Sequence, residues 1–123
     1  KSLYLLGQLF DNERYLELSN TMLHTMAPRM SSYPAGHSNW AELMLMHVFP
    51  FPEIAIMGPD AMALRAQFAA HYLPSRQFLG STTASSLPLL KDKSLPGSTI
   101  FVCENKTCRL PVPTVNEALH ELR

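Results

Sequence analysis

Apolar residues recur every three to four positions up to Phe49, and the period then shortens. The first spacing lines one face of a helix. Ser2 to Leu9 reads as a short helix or the tail of a longer one. Asp11 can cap a second helix. In it Tyr15, Leu16, Leu18, Met22, Leu23 and Met26 recur at helix spacing, leaving Glu13, Glu17 and Asn20 toward water. Pro28 need not end that helix, whereas the run Ser31-Ser32-Tyr33-Pro34-Ala35-Gly36 does. Ser38 or Asn39 then caps a third helix, with Glu42 near the capping-box position. Trp40, Leu43, Met44, Met46 and His47 follow, and the helix must stop before Pro50-Phe51-Pro52.

Beyond these prolines the pattern is that of a small sheet. Ile54-Ala55-Ile56-Met57 is a short apolar run bounded by Pro52 and Gly58, which predicts a buried parallel strand. Gly58-Pro59-Asp60 forms a turn, with Asp60 as the cap of a helix from Ala61 to Leu73 that Pro74 ends. Gln77-Phe78-Leu79-Gly80 is a second strand, so a right-handed βαβ unit is expected. Ser81 to Gly97 is a long polar loop anchored by Leu87 to Leu90, and Thr99 to Cys103 is a third strand. Thr114 caps a last helix, with Glu117 at its third position and Val115, Leu119 and Leu122 on its buried face. The expected class is therefore α+β or α/β. Residues 1–49 form a helical segment, and 50–123 a small three-stranded, mostly parallel βαβ unit with a C-terminal helix.

Composition narrows the function classes. The 123 residues are 46% apolar, with ten acidic and ten basic side chains and a formal net charge of zero. No block of Lys or Arg is present, which disfavours nucleic acid as a partner. No apolar run approaches the roughly 20 residues that span a bilayer, so no membrane partner is expected. Lys1 leads into a mildly apolar stretch with no small-residue cleavage site, so no signal peptide is expected and a cytoplasmic location is. The chain begins without Met in what reads as a helix, so a cut inside a longer protein is expected.

Candidate chemistry is concentrated in Cys103 and Cys108, which have four residues between them. Two cysteines make no disulfide framework. Structural thiols, with one buried on the strand, are the favoured reading. A disulfide stapling the turn and a redox role, helped by nearby Lys106 and Arg109, are the alternatives. No metal is expected, because a zinc site needs about four ligands and His24, His37, His47, His71 and His120 are scattered. No nucleotide cofactor is expected at Gly58-Pro59-Asp60. That turn has a single glycine, Pro59 lacks an amide donor, and Asp60 repels phosphate. Ser81-Thr82-Thr83 and Ser85-Ser86 have no nucleophile motif around them. The spacing of Met22, Met26 and Met30 reads as core filler. Pro34, Gly36, His37, Ser38 and Trp40 form a turn at a helix start. A packed Trp is the favoured reading there, and an aromatic edge for a sugar ring is the alternative.

Several pieces carry a resemblance when taken in order: the helix Tyr15 to Met26, Tyr33-Pro34-Ala35-Gly36-His37-Ser38, Glu53-Ile54-Ala55-Ile56-Met57-Gly58, Leu87-Pro88-Leu89-Leu90, and the tail from Val102 through Cys103 and Cys108 to Pro111. Over nearly its whole length the chain resembles the C-terminal end of the thioredoxin-domain-containing family that includes spermatogenesis-associated protein 20. The tail is the most specific piece. The resemblance implies a much larger parent, with a thioredoxin-like domain followed by an α/α toroid similar to six-hairpin glycosidases and sugar epimerases. Residues 1–49 would be its last toroid helices and 50–123 a terminal α/β appendage. The implied partner is the rest of that parent, with self-association through an exposed apolar helix face. The family's thioredoxin-like active site has no counterpart here, so no catalytic residue is assigned. The expected role is that of a non-catalytic structural and interaction fragment. A thiol-redox module using Cys103 and Cys108 is one alternative. Another is part of a carbohydrate-processing parent, with His37 and Trp40 at a cavity edge and Glu42 and Glu53 as the carboxylates at hand.

Overall fold

In the computed structural model residues 1–93 and 96–123 are described, and they form five α-helices and a four-stranded mixed sheet. Two units divide the chain, Lys1–Pro50 and Phe51–Arg123.

The first unit contains α1 (Ser2–Phe10), α2 (Glu13–Met30), a 3₁₀ turn (Pro34–His37) and α3 (Ser38–Val48). Asp11 ends α1 rather than capping α2. It takes the left-handed conformation, φ 52° and ψ 45°, which Asp tolerates better than most residues. Asn12 is then free to adopt extended backbone, and its side-chain oxygen accepts from the Tyr15 N–H at 3.2 Å. The short link is tight: a Cβ on Gly7 would stand 2.6 Å from Leu16 Cδ2. α2 runs through Pro28, which has no N–H to donate to the His24 carbonyl one turn back.

The caps expected for α3 do not form. Ser38 is already helical because the 3₁₀ turn feeds directly into α3, and His37 occupies the N-cap without a side-chain bond. Glu42 pairs instead with Lys1, Nζ to Oε1 at 2.6 Å. Tyr4, Leu23, Leu43 and Met46 are buried, and the Tyr4 hydroxyl donates to the Met46 carbonyl at 3.0 Å. In α2 only Ser19 and Leu23 are buried. Leu18 and Met22, which share their spacing, are 44% and 47% exposed, so the Met22–Met26–Met30 series is not all core.

The second unit is built on β1 (Glu53–Met57), α4 (Ala61–Phe68), β2 (Gln77–Ser81), β3 (Thr99–Glu104), β4 (Thr107–Cys108) and α5 (Val115–Glu121). Strand order is β2-β1-β3-β4. β2 runs parallel to β1, with Gln77 opposite Glu53, but β3 runs antiparallel, with Cys103 opposite Glu53 and Thr99 opposite Met57. The expected mostly parallel three-stranded unit is corrected by this direction and by β4. A parallel β3 would need the chain to return to the start of β1, usually through a crossover helix. The segment after β2 has no helical period, and β3 starts at the end of the sheet where β2 finishes.

α4 is shorter than expected, because the bonds after Phe68 tighten to three-residue spacing: Ala70 N–H to Gln67 O and His71 N–H to Phe68 O, both relevant contacts being 3.2 and 3.0 Å. Pro74 further disfavours a helical Leu73. Asp60 takes the N-cap position of α4, its carbonyl accepting from the Leu64 N–H at 2.9 Å while its side chain bonds no helix amide. The Ser98 hydroxyl donates to its carboxylate at 3.0 Å and accepts from its N–H at 2.8 Å.

Strand alternation sorts the core onto two faces. Ile54, Ile56, Ile100 and Val102 pack with Leu64 and Phe68 of α4 and Val115 and Ala118 of α5. Ala55, Met57, Phe101 and Cys103 pack with Leu89 and Leu90, the apolar anchor of the long loop. With both faces covered, β1 is buried at every position, which is why it reads as an unbroken apolar run. Thr114 caps α5 as expected, accepting from the Glu117 N–H at 3.3 Å. Among the described residues no helix is long and apolar enough to cross a membrane.

Candidate functional site

The β3–β4 hairpin brings the cysteines together. Its two-residue turn is Asn105-Lys106, with φ 50° and 65°. Positive φ at both positions matches the twist of the flanking strands, as in a type I′ turn. That turn pairs Glu104 with Thr107 and therefore Cys103 with Cys108. The Arg109 N–H donates to Val102 O at 2.9 Å on the far side of the cysteine pair. The cysteines thus occupy a non-hydrogen-bonded position, where side chains come closest. Their Cα atoms are 3.9 Å apart and their sulfurs are bonded. The reading of two structural thiols is corrected accordingly, since the turn fixes the register that makes the bond.

The two sulfurs sit in different surroundings. Cys103 is 1% exposed, within the cluster of Ala55, Met57, Phe101, Leu89 and Leu90. Cys108 lies half-buried on β4, the edge strand. A thiolate attacking this bond reaches Cys108 first and expels the Cys103 thiolate into apolar surroundings, where burial penalises the charge. Arg109 is already engaged by Glu121 at 2.8 Å. Chemically, the hairpin is a stapled edge whose one accessible sulfur can take part in thiol exchange, with a poor leaving group behind it.

Searched against family models, curated proteins and solved structures, the chain matches none of them.

His37 and Trp40 lie in the first unit at the start of α3, both half-buried. His37 Nδ1 is 2.8 Å from the Tyr33 carbonyl, so as an N–H it donates there. The Tyr33 ring meets the imidazole edge-on, centroids 6.3 Å apart, and Gly36 passes beneath that ring where a Cβ would collide. These contacts fasten the turn. Glu42 is held by Lys1, and Glu53 is buried on β1.

One feature of the second unit has no counterpart in the motifs read from the sequence. A cavity of about 470 Å³ opens between the segment after α4 and the end of α5. His71 and Arg76 line it from the first side, and Asn116, His120 and Arg123 from the second. Asn116 and His120 are spaced four apart on α5 and Arg123 follows just past its end, which is the signal the sequence carried.

Proposed function

We propose that this chain is a structural and interaction module without catalysis of its own, the C-terminal part of a larger cytoplasmic protein. In this reading the helices of Lys1–Pro50 are the last helices of an α/α toroid, and Phe51–Arg123 is an appended α/β unit. A single observation carries it. Each helix of the first unit leaves an apolar pair spaced four apart in water: Leu6 and Phe10 on α1, Leu18 and Met22 on α2, Met44 and Val48 on α3, with Phe49 exposed just past its end. Their exposures run from 39% to 68%. Spacing of four is how one helix offers knobs to another, and burying such a side chain is worth about 1.5–3 kcal/mol. The occupant in this reading is further helices of the same polypeptide, which supply the same spacing in return.

The test is uptake of an environment-sensitive hydrophobic dye by the chain and by Phe10→Glu/Met22→Glu/Phe49→Glu. The reading expects strong fluorescence that the triple variant loses while its helical circular dichroism is kept. Equal and weak fluorescence from both would count against it.

A thiol-redox role is the second reading, favoured by the bonded pair on an edge strand with Cys108 partly accessible. It expects exchange with a thioredoxin-like partner through a mixed disulfide at Cys108. A Cys103→Ser variant whose Cys108 carries thionitrobenzoate in a mixed disulfide should be attacked at Cys108 by a thioredoxin-like domain lacking its resolving cysteine, expelling thionitrobenzoate and leaving a covalent complex, and failure to form that complex removes the role.

A further inference from the structure

The cavity in the second unit is rich in hydrogen-bond donors. Its walls hold two guanidinium groups, Arg76 and Arg123, two imidazoles, His71 and His120, and the Asn116 amide, with no carboxylate among the lining side chains. The nearby acids of α5 are committed elsewhere. Glu117 accepts from the Thr114 hydroxyl at 2.6 Å, and Glu121 accepts from Arg109 at 2.8 Å. In a chain of zero net charge, this leaves a local concentration of donors and positive charge.

Arg76 is the most telling member. Its Nη1 donates to the Pro74 carbonyl at 2.8 Å, which ties one arm of the guanidinium to its own loop. Its Nε is buried and has no hydrogen-bond partner among the described residues. Burial of Nε and the bond from Nη1 hold the side chain in place, so a ligand in the cleft meets a preorganised guanidinium through its remaining N–H groups.

We propose that this cleft is a binding site for a small organic phosphate. The remaining N–H groups of Arg76, the Arg123 guanidinium and the imidazole and amide donors suit a tetrahedral dianion, whose oxygens accept several bonds at once. The half-buried Leu119, also in the lining, provides apolar surface for the organic part of such a ligand. The volume lies within the range of about 300–1,000 Å³ typical of small-molecule sites. The site is confined to Phe51–Arg123 and is independent of the helical faces of the first unit.

The test is titration of the whole chain with ribose 5-phosphate, followed by amide and side-chain nuclear magnetic resonance. Ribose, inorganic phosphate and a short glutamate peptide serve as comparisons. The expected result is saturable shifts of Arg76, Asn116 and His120, weaker binding of inorganic phosphate at the same residues, and none from ribose. Arg76→Gln and, separately, Arg123→Gln should each weaken binding about tenfold or more, the loss of one charge-assisted bond. β1 resonances report whether each variant is folded, and if Arg76→Gln misfolds, Arg123→Gln decides. Arg65→Gln, whose guanidinium lies over the Phe78 ring 4.4 Å from its centroid, should bind as the parent does. The proposal is overturned if no saturable shifts occur, if Arg123→Gln and Arg65→Gln weaken binding equally, or if the glutamate peptide binds and the phosphates do not.

Discussion

Cys103 and Cys108 stand directly opposite each other in the β3–β4 ladder, bonded through sulfur, one buried and the other at the sheet edge. Cross-linking so short a loop limits the unfolded chain by about 2 kcal/mol. The double variant Cys103→Ala/Cys108→Ala should lose stability of that order in urea unfolding. Cys103→Ser should be worse than Cys108→Ser, because it adds an unpartnered hydroxyl to an apolar cluster. The reverse order would show that Cys103 is not the buried partner.

Accessibility predicts the course of reduction. In native chain the bond should open slowly, with alkylation appearing first at Cys108 and at Cys103 only after denaturation. Mass mapping of the alkylated sites checks this. Rapid labelling of both sulfurs without denaturant would contradict it.

Gly58 and Gly97 should respond differently to alanine. Gly58 has φ 115°, and a Cβ there would collide with the Gly97 carbonyl and the Ser98 backbone. Gly97 has φ 80° with open space around the Cβ position. Gly97→Ala should cost about 1–2 kcal/mol, the strain of left-handed backbone, and Gly58→Ala distinctly more. Equal costs in denaturant titrations would exclude the close approach at Gly58.

The pH dependence of the first unit should include a contribution from His47. Burial, and after it the charge of His24, lowers its pKa from the ordinary 6.5. The imidazole and the Tyr4 ring meet edge-on, centroids 4.7 Å apart and planes inclined at 60°. With the native value below the unfolded one, the unfolded chain binds more protons between them, so stability rises with pH across that interval. The contribution is complete above about pH 6.5 and falls as pH drops below it. Denaturant midpoints of the parent and His47→Gln should therefore diverge with acidification, the parent losing more. Parallel curves would remove His47 as the cause.

Mixed α/β character was legible in the residues, and so were particular elements. β1 was readable because both its faces are covered, and α5 because Thr114 has one outcome at a helix start. Cap choices at Asp11 and Ser38 were not, since neighbouring residues could serve equally and the left-handed Asp11 and the 3₁₀ turn decided between them. The direction of β3 depends on where a long loop re-enters the sheet, which local pattern does not encode. Leu18 and Met22 carry the same spacing as Leu23, and only the tertiary partners present determine which side is covered. The disulfide needed the register, and the register came from positive φ at Asn105 and Lys106, neither of them glycine. The cationic cleft draws on segments far apart in sequence, so only the half on α5 had a readable spacing.

The most direct test of the structural role is sedimentation velocity of the purified chain over a wide concentration range, beside Phe10→Glu/Met22→Glu/Phe49→Glu. Unpaired apolar helix faces predict concentration-dependent association that the triple variant abolishes. A parent chain that stays monomeric throughout, indistinguishable from the variant, would contradict the account.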